Sequence, residues 1–394
     1  MGHPPRPARS PWHRARRALL ALLALGALSP AVGAGCAGGF DPPSVVDSLR
    51  VFTVTATGDG MGKSYANPGD EITFKMSYRD GYPDPEDGPR PVQIVWLGGC
   101  FNPPGDQYFS CYEQLAESFA ELASGSPAPP QNSCEPDCEG PSCTACCQLG
   151  CGWPECPVCA GSDQSEFHLK LPGDIVSSRP PPDTGPHYGI AYVFFAACAG
   201  EIKPVNDEGG DAGAFPLGCF NPDGQRLGAE SFVPGYTQIY AFEDGRPNQN
   251  PEIQGLTMNG KELPEDFAAI PTVQRCDLSE DDRRIRGCGK EDPFTTCTTY
   301  EIEVLVDPDV AELDLESTGQ DGQPLTEVVW VDYFADQGNF EADIKLVNDA
   351  VEGFFDDREV KWIPPPEPGI ATLWAVLHDA RGGASVMQRL IRVE

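Results

Sequence analysis

An apolar run near the N-terminus constrains this chain most, because it decides whether the cysteines that follow can form disulfides. Residues 18–28 are almost all alanine and leucine, and five arginines with no acidic residue precede them. Such a run behind a basic stretch is typical of an export signal and is too short to span a bilayer comfortably. It is followed by small residues and then by Cys36. Exported proteins meet an oxidising environment, so we expect the other fifteen cysteines to be largely paired.

The end of this segment, Ala34-Gly35-Cys36, resembles the lipobox of bacterial lipoproteins, with Gly33 standing where leucine is usual. The resemblance implies that residues 1–35 are removed and that the Cys36 thiol carries a covalent lipid. Two or three acyl chains, at about 0.8 kcal/mol per buried CH₂, hold a protein on a membrane without other contacts. Ala37 stands where aspartate usually signals inner-membrane retention, which implies the outer membrane, on either face. Ordinary cleavage near residues 29–31, giving a soluble exported protein, is the alternative.

The charge and composition limit the classes of partner and fold. Removing the five arginines of residues 1–35 changes the net charge from −33 to −38. So acidic a surface repels phosphate, which excludes nucleic acid as a partner, while it could attract cations. The remaining chain is long enough for about two domains. Its 41 prolines and 43 glycines favour short strands and many turns over helical bundles.

Short runs rich in β-branched and alternating residues predict a first antiparallel β-sandwich over residues 47–244, after a tether at 36–46. Leu115, Phe119 and Leu122 recur at helical spacing and predict a short amphipathic helix within Tyr112–Leu122. A cysteine-rich insertion follows at 131–160. The predicted strands are Leu49–Thr57, Glu71–Tyr78, Val92–Leu97, Phe167–Leu171, Gly189–Cys198 and Gly235–Phe242.

A second antiparallel sandwich is predicted over residues 245–394, ending in a hairpin whose loop contains Gly382-Gly383. The stretch Trp362–Gly369 and the Leu373–Asp379 segment after it resemble the closing strands of bacterial Ig-like and PKD-like domains. The resemblance implies two Ig-like sandwiches, with Trp96 and Trp330 as core residues. The predicted strands are Ile253–Met258, Thr298–Val306, Val328–Phe334, Ile370–His378 and Ser385–Val393.

The insertion contains an internal duplication of four cysteines, repeated with identical spacing thirteen positions later. Thirteen residues cannot bury a hydrophobic core, so covalent bonds or metal must hold each copy. Because we expect the chain to be exported to an oxidising compartment, disulfides are favoured. Zinc or an iron–sulfur cluster bound by four thiolates is the alternative, although no histidine joins the cysteines. The two copies are Cys134, Cys138, Cys143, Cys146 and then Cys147, Cys151, Cys156, Cys159.

The other cysteines fall into groups by their position in the sequence. Cys100 and Cys111 flank one loop, and Cys198 and Cys219 bracket an acidic, glycine-rich segment. We expect each of these two groups to form a disulfide. The second unit contains three cysteines, Cys276, Cys288 and Cys297, so one of them is left over if Cys36 carries lipid.

Candidate chemistry for catalysis or metal binding is sparse. After residue 35 the chain has three histidines (His168, His187 and His378), none near a serine nucleophile motif. Nothing in so acidic a chain picks out a carboxylate pair for glycoside hydrolysis. The loop from Asp80 to Asp87 carries carboxylates that could hold calcium, but its spacing fits no EF-hand, and solvated surface charge explains it better. We therefore expect no cofactor besides the lipid.

The sequence predicts a non-catalytic lipoprotein of the outer membrane with a structural, adhesive or scaffolding role at the periplasm or cell surface. It reaches the membrane through its lipid, and its protein or glycan partner is open. The alternatives are a carbohydrate-active enzyme or its binding accessory, and metal handling through the cysteine block.

Overall fold

The computed structural model describes nine segments: residues 43–58, 61–62, 64–82, 90–112, 165–205, 217–279, 282–283, 292–319 and 322–394. Their regular structure is almost entirely β. Short 3₁₀ helices form at Pro104–Asp106, Tyr108–Ser110 and Phe267–Ala269, an α-helical turn forms at Pro293–Thr296, and residues 111–112 and 282–283 are also α-helical. The predicted mostly-β sandwich fold is confirmed. Among the described residues no helix has the length and apolar character needed to cross a membrane.

The first sandwich packs the sheet β2-β1-β4-β6 against the sheet β3-β10-β7-β5. Trp96 lies in the core between them, 1% exposed, and stacks on Phe167 with ring centroids 5.8 Å apart. The strands are antiparallel neighbours except β3, which pairs parallel with β10, and β8 and β9 form a separate hairpin. Their bounds are β1 Leu49–Gly58, β2 Met61–Gly62, β3 Tyr65–Ala66, β4 Glu71–Asp80, β5 Gln93–Phe101, β6 Glu166–Lys170, β7 Tyr188–Cys198, β8 Glu201–Pro204, β9 Leu217–Phe220 and β10 Phe232–Phe242.

The second sandwich packs the sheet β12-β11-β14-β21-β18 against the sheet β13-β23-β22-β17-β19-β20, with β15 and β16 as a separate hairpin. Tyr333 crosses its core: the hydroxyl accepts a hydrogen bond from Val304 N (3.0 Å) and donates one to the Arg358 carbonyl (2.8 Å). The strands are β11 Gly255–Met258, β12 Lys261–Glu262, β13 Thr272–Val273, β14 Tyr300–Leu305, β15 Leu313–Thr318, β16 Pro324–Thr326, β17 Val329–Ala335, β18 Asn339–Phe340, β19 Ile344–Asp349, β20 Gly353–Phe354, β21 Val360–Ile363, β22 Gly369–Asp379 and β23 Ala384–Val393.

The two predicted core tryptophans have different environments. Trp96 is buried as expected, but the prediction for Trp330 is wrong. On β17 the residues on either side of it, Val329 and Val331, face the core, so Trp330 points outward and stacks on His378 at 5.3 Å. The tryptophan inside the second core is Trp362, which is 0% exposed and donates its Nε1–H to the Gln337 carbonyl (3.2 Å).

Candidate binding face and the junction between the sandwiches

A second apolar layer covers the outer face of one sheet in the first sandwich. Strand β7 is buried at every residue except Tyr188, so both of its faces are covered. One face belongs to the core, and the other contributes Ile190, Tyr192 and Phe194 to a separate apolar cluster. A strand buried on both faces reads as a continuous apolar run, as this one does.

Disulfides hold this outer layer in place. Cys100 bonds to Cys111 and Cys198 bonds to Cys219, and all four are at most 1% exposed within the outer cluster. The first bond closes the loop after β5, and the second brings β9 against the end of β7. Each cross-link restricts the unfolded chain and so stabilises the fold, and the chain is disulfide-rich in the described part alone.

The loop closed by Cys100 and Cys111 is held rigidly by polar contacts at two left-handed residues. Asn102 (φ 48°) donates from Nδ2 to the Ile175 carbonyl (2.7 Å) and accepts from Ile190 N (3.0 Å). Asp106 (φ 55°) forms a two-pronged ion pair with Arg179, at 2.9 and 3.0 Å. Both residues anchor the two 3₁₀ turns to the sheet, which fixes the rings that the second turn carries.

An aromatic row, which we call the tyrosine strip, runs along this outer face. Tyr108, from the loop, stacks on Tyr236 with ring centroids 4.4 Å apart and planes 18° apart. Edge-on contacts then continue along the sheet, from Tyr236 to Tyr192 at 5.7 Å and from Tyr188 to Tyr240 at 5.5 Å. Tyr240 contacts Tyr65 at 6.2 Å. The strip comprises Tyr65, Tyr108, Tyr188, Tyr192, Tyr236 and Tyr240.

The end of the strip at the loop is the part open to solvent. Tyr108 is 37% exposed, Tyr236 is 44% exposed, and the neighbouring Phe109 is 51% exposed. Tyr192 is nearly buried and donates its hydroxyl to the Asp106 carbonyl (2.8 Å). The open rings therefore rest on buried ones that are already hydrogen-bonded.

Hydrogen bonding and burial favour a charged Asp106 and neutral phenols at Tyr188 and Tyr192. Partial burial opposes the charge on Asp106, but hydrogen bonds from Arg179 and Tyr188 outweigh it and lower the pKa of that carboxyl. The Tyr188 hydroxyl donates to Asp106 at 2.5 Å, which raises the pKa of Tyr188. Burial raises the pKa of Tyr192 to about 12. Near neutral pH Tyr188 and Tyr192 are thus uncharged and lie beside the Asp106–Arg179 ion pair.

The two sandwiches meet at a junction in which β1 plays the central part. A bulge between Val51 and Thr53 leaves Phe52 without a partner on β4. A bulge turns the extra residue away from the regular ladder. Here Phe52 packs on the second sandwich, 5.1 Å from the Phe334 ring and 5.2 Å from the Trp374 ring.

A charged cluster closes the other side of the junction. Arg381 binds Glu327 at 2.7 Å and Glu312 at 3.0 Å, and its guanidinium lies over the Tyr65 ring at 5.6 Å. The Glu327 side chain is 1% exposed. Burial, with the nearby Asp379 charge, raises the pKa of Glu327 to about 7 despite the Arg381 contact. The same arginine also donates to the Pro247 carbonyl (3.3 Å), in the segment that joins the sandwiches.

Several predicted site residues lie outside the described residues. They are Cys36, the eight duplicated cysteines (Cys134, Cys138, Cys143, Cys146, Cys147, Cys151, Cys156 and Cys159) and Cys288. The helix prediction for 112–122 also falls outside them beyond Tyr112. In the second sandwich Cys276 bonds to Cys297, which makes Cys288 the cysteine of that group left over.

The remaining candidates are dispersed. Asp80, at the start of the proposed calcium loop, forms a two-pronged ion pair with Arg90 at 2.6 and 2.7 Å, and residues 83–89 lie outside the described ranges. The three histidines bond separately, His168 to Thr73, His187 to the Arg179 carbonyl and His378 to Asp332. In the described part of the chain no group of three or more His, Cys, Asp or Glu side chains is arranged to hold a metal ion.

Sequence reasoning missed the tyrosine strip and the junction. A signal for the strip existed, because Tyr236, Gln238 and Tyr240 alternate with apolar or small residues on one strand and Tyr188, Tyr192 and Phe194 recur on another. Comparison with known proteins adds no assignment: no family model matches the sequence, and neither does any curated protein.

Proposed function

We propose that this protein is a non-catalytic lipoprotein, anchored in the outer membrane through lipid on Cys36, that serves in adhesion through its tyrosine strip. The observation that carries the proposal is the open end of the strip, where Tyr108, Phe109 and Tyr236 are 37–51% exposed next to one another. Exposed apolar groups clustered on a soluble domain mark interaction sites. Tyrosine is among the residues most enriched where proteins bind partners.

The rigidity of the strip supports a binding role. Its loop is held by the Cys100–Cys111 disulfide, by the Asp106–Arg179 ion pair and by the Asn102 hydrogen bonds. Binding to a surface that is already ordered loses less conformational entropy than binding to a flexible one. A site used for adhesion gains affinity from this preorganisation without any catalytic group.

The carbohydrate-active enzyme of the sequence analysis has less support. The buried Glu327 and its partly buried neighbour Glu312 both bind Arg381 and stabilise the junction. Metal handling through the duplicated cysteines concerns residues outside the described ranges. A carbohydrate-binding accessory without catalysis is compatible with the tyrosine strip.

The test combines the anchor with the strip in the full chain expressed in bacteria. Cys36→Ala should move the protein from the detergent-extracted membrane fraction to the soluble fraction. Protease treatment of intact cells then reports which membrane face the protein occupies. Material that still pellets with membranes after Cys36→Ala would contradict the lipid anchor.

The adhesive role is tested by sedimentation of the detergent-purified full chain with intact cells and with isolated cell-wall sacculi. Tyr108→Ala combined with Tyr236→Ala should abolish sedimentation with at least one of them. Phe267→Ala is the matched control, because Phe267 is an exposed aromatic ring on the second sandwich. Unchanged sedimentation of the strip variant with both would contradict the proposal.

A further inference from the structure

We infer that the tyrosine strip binds a neutral polysaccharide chain, with sugar rings stacking on Tyr108, Phe109 and Tyr236; this inference rests on the proposed adhesive function and names its ligand. The face of an aromatic ring carries partial negative charge. The C–H groups on one face of a pyranose ring carry partial positive charge, and its hydroxyls point outward at the rim. A row of tyrosines complements both, since the rings meet the C–H face and the phenol hydroxyls meet the rim.

The charges at the strip select a neutral ligand. The charged pair beside the open end is neutralised internally, since Arg179 Nη2 donates to Asp106 Oδ2 at 3.0 Å and Nη1 lies 2.9 Å from Oδ1. The chain as a whole carries a net charge of −33, which repels acidic polysaccharides. Gln238, exposed between Tyr236 and Tyr240 on β10, donates from its amide to the Tyr240 hydroxyl at 3.3 Å and adds polar, uncharged groups to the row.

The dimensions of the strip favour a glycan over a protein partner. From Tyr236 to Tyr240 the strand advances by about 13 Å, and the neighbouring strands β3, β10 and β7 that carry the other sheet tyrosines lie about 5 Å apart. The resulting face is narrow, whereas a stable protein interface buries about 800 Å² on each partner. The exposed large aliphatic side chains of the described chain, Leu313, Ile344, Leu346 and Val351, lie on the second sandwich. A small face of rings that is open at Tyr108, Phe109 and Tyr236 fits a few sugar units of an extended chain.

The experiment is calorimetric titration of the detergent-purified full chain with two neutral hexasaccharides, one of β-1,4-linked glucose and one of β-1,4-linked N-acetylglucosamine. An acidic polygalacturonate oligomer of similar length serves as the charge control. We expect at least one neutral hexasaccharide to bind and the acidic oligomer not to bind. The glucose probe stands for external polysaccharides and the N-acetylglucosamine probe for cell-wall glycan, so the two arms distinguish the source.

Variants then locate the binding. Tyr108→Ala, Phe109→Ala and Tyr236→Ala should each weaken binding by about tenfold, the size expected when one stacked ring is lost. Tyr236→Phe, which keeps the ring, should weaken it by no more than about threefold. Phe267→Ala should leave binding unchanged, and thermal unfolding of every variant checks that the fold is intact.

The outcomes separate this inference from the function on which it rests. Failure of both neutral hexasaccharides to bind, with sedimentation on cells still dependent on the strip, would overturn the glycan inference, keep the adhesive role and point to a protein partner. Glycan affinity that is unchanged in all three ring variants would overturn the assignment of the site. If neither neutral hexasaccharide binds and sedimentation does not depend on the strip, both the inference and the proposed function are overturned.

Discussion

The two sandwiches share an architecture, but each covers the outer face of one of its sheets in a different way. In the first, the outer face of β7 and β10 bears two disulfides, a second apolar cluster and the tyrosine strip. In the second, the outer face of β17 and β22 presents Phe334 and Trp374, and these rings receive Phe52 from the first sandwich. The outer face of the first sandwich thus carries an added layer and stays partly open to solvent, whereas the outer face of the second sandwich contacts the first. If the proposed function holds, aromatic side chains on an outer face bind a partner only where no neighbouring unit covers them.

Removing the charge at the junction should give the largest effect on this comparison. At about pH 8, where Glu327 is mainly ionised, Arg381→Ala leaves this buried carboxylate without its cation, and breaking a buried ion pair in this way costs about 3–5 kcal/mol. We expect the thermal midpoint of the full chain to fall sharply and the junction to become sensitive to protease. Arg275→Ala is the control, since the Arg275–Asp277 pair is exposed and should contribute little. Equal shifts for the two variants would contradict the role given to Arg381.

The disulfides offer a matched pair, because Cys198–Cys219 and Cys276–Cys297 both span 21 residues. Because the two loops are equally long, removing either disulfide should lower the free energy of unfolding by the same entropic amount, about 3 kcal/mol. Cys198 and Cys219 are both 0% exposed in the outer cluster, whereas Cys297 is only partly buried. Cys198→Ala with Cys219→Ala should therefore cost about 1 kcal/mol more than the other pair, because it also leaves a cavity. Denaturant unfolding compares them, and equal losses would show that the outer layer adds no packing energy.

A pH titration sharpens the comparison further. The pKa of Glu327 is raised to about 7 from its ordinary value of 4.5, so the folded protein binds more protons than the unfolded chain between these values. Stability should therefore fall as pH rises from about 4.5 to about 7, by an amount on the order of 3 kcal/mol. Glu327→Gln should remove this part of the slope. Thermal midpoints of both proteins measured from pH 4.5 to 8 check this prediction. If the dependence of stability on pH is unchanged in Glu327→Gln, a group other than Glu327 causes it.

The smallest expected effect concerns the ring at the junction. Phe52→Ala removes a half-buried ring that contacts Phe334 and Trp374, and we expect a loss of about 2 kcal/mol with faster proteolysis between the sandwiches. Phe52→Leu, which retains most of the apolar volume, should lose less than half as much. If Phe52→Ala is cleaved by protease no faster than the wild type, the aromatic contact does not hold the two sandwiches together.

The strands were predictable because period-two alternation is a local property of the chain. Strands β1, β4, β22 and β23 begin and end within two residues of the predicted bounds. The residues that face the core were harder to predict: the alternation on β17 was visible, but placing Trp330 in the core by analogy with Ig-like sandwiches was wrong. The short strands of two to four residues, such as β12 and β20, carry too few residues for a pattern to show.

The tyrosine strip and the junction depend on register and not on local sequence. Tyr108 meets Tyr236 only because the Cys100–Cys111 loop folds back over the sheet, a placement that strand periodicity does not encode. Arg381 meets Glu327 and Tyr65 because a hairpin loop, a strand connection and a two-residue strand converge. A continuous apolar run on β7 was the one local sign that both faces of that strand are covered.

The segment before β1 has a mechanical consequence. Val46 donates to the Ala335 carbonyl (2.8 Å) and Ala335 donates to the Ser44 carbonyl (2.9 Å), so the chain entering the first sandwich is already bonded to the second. Tension applied from the N-terminal side, where the lipid is proposed, therefore loads β17 before it reaches β1. The pull is shared by both units at their junction and does not draw on a terminal strand alone. The open end of the tyrosine strip, formed by Tyr108 and Tyr236, lies on the loop after β5 and on β10, which make neither of these two bonds.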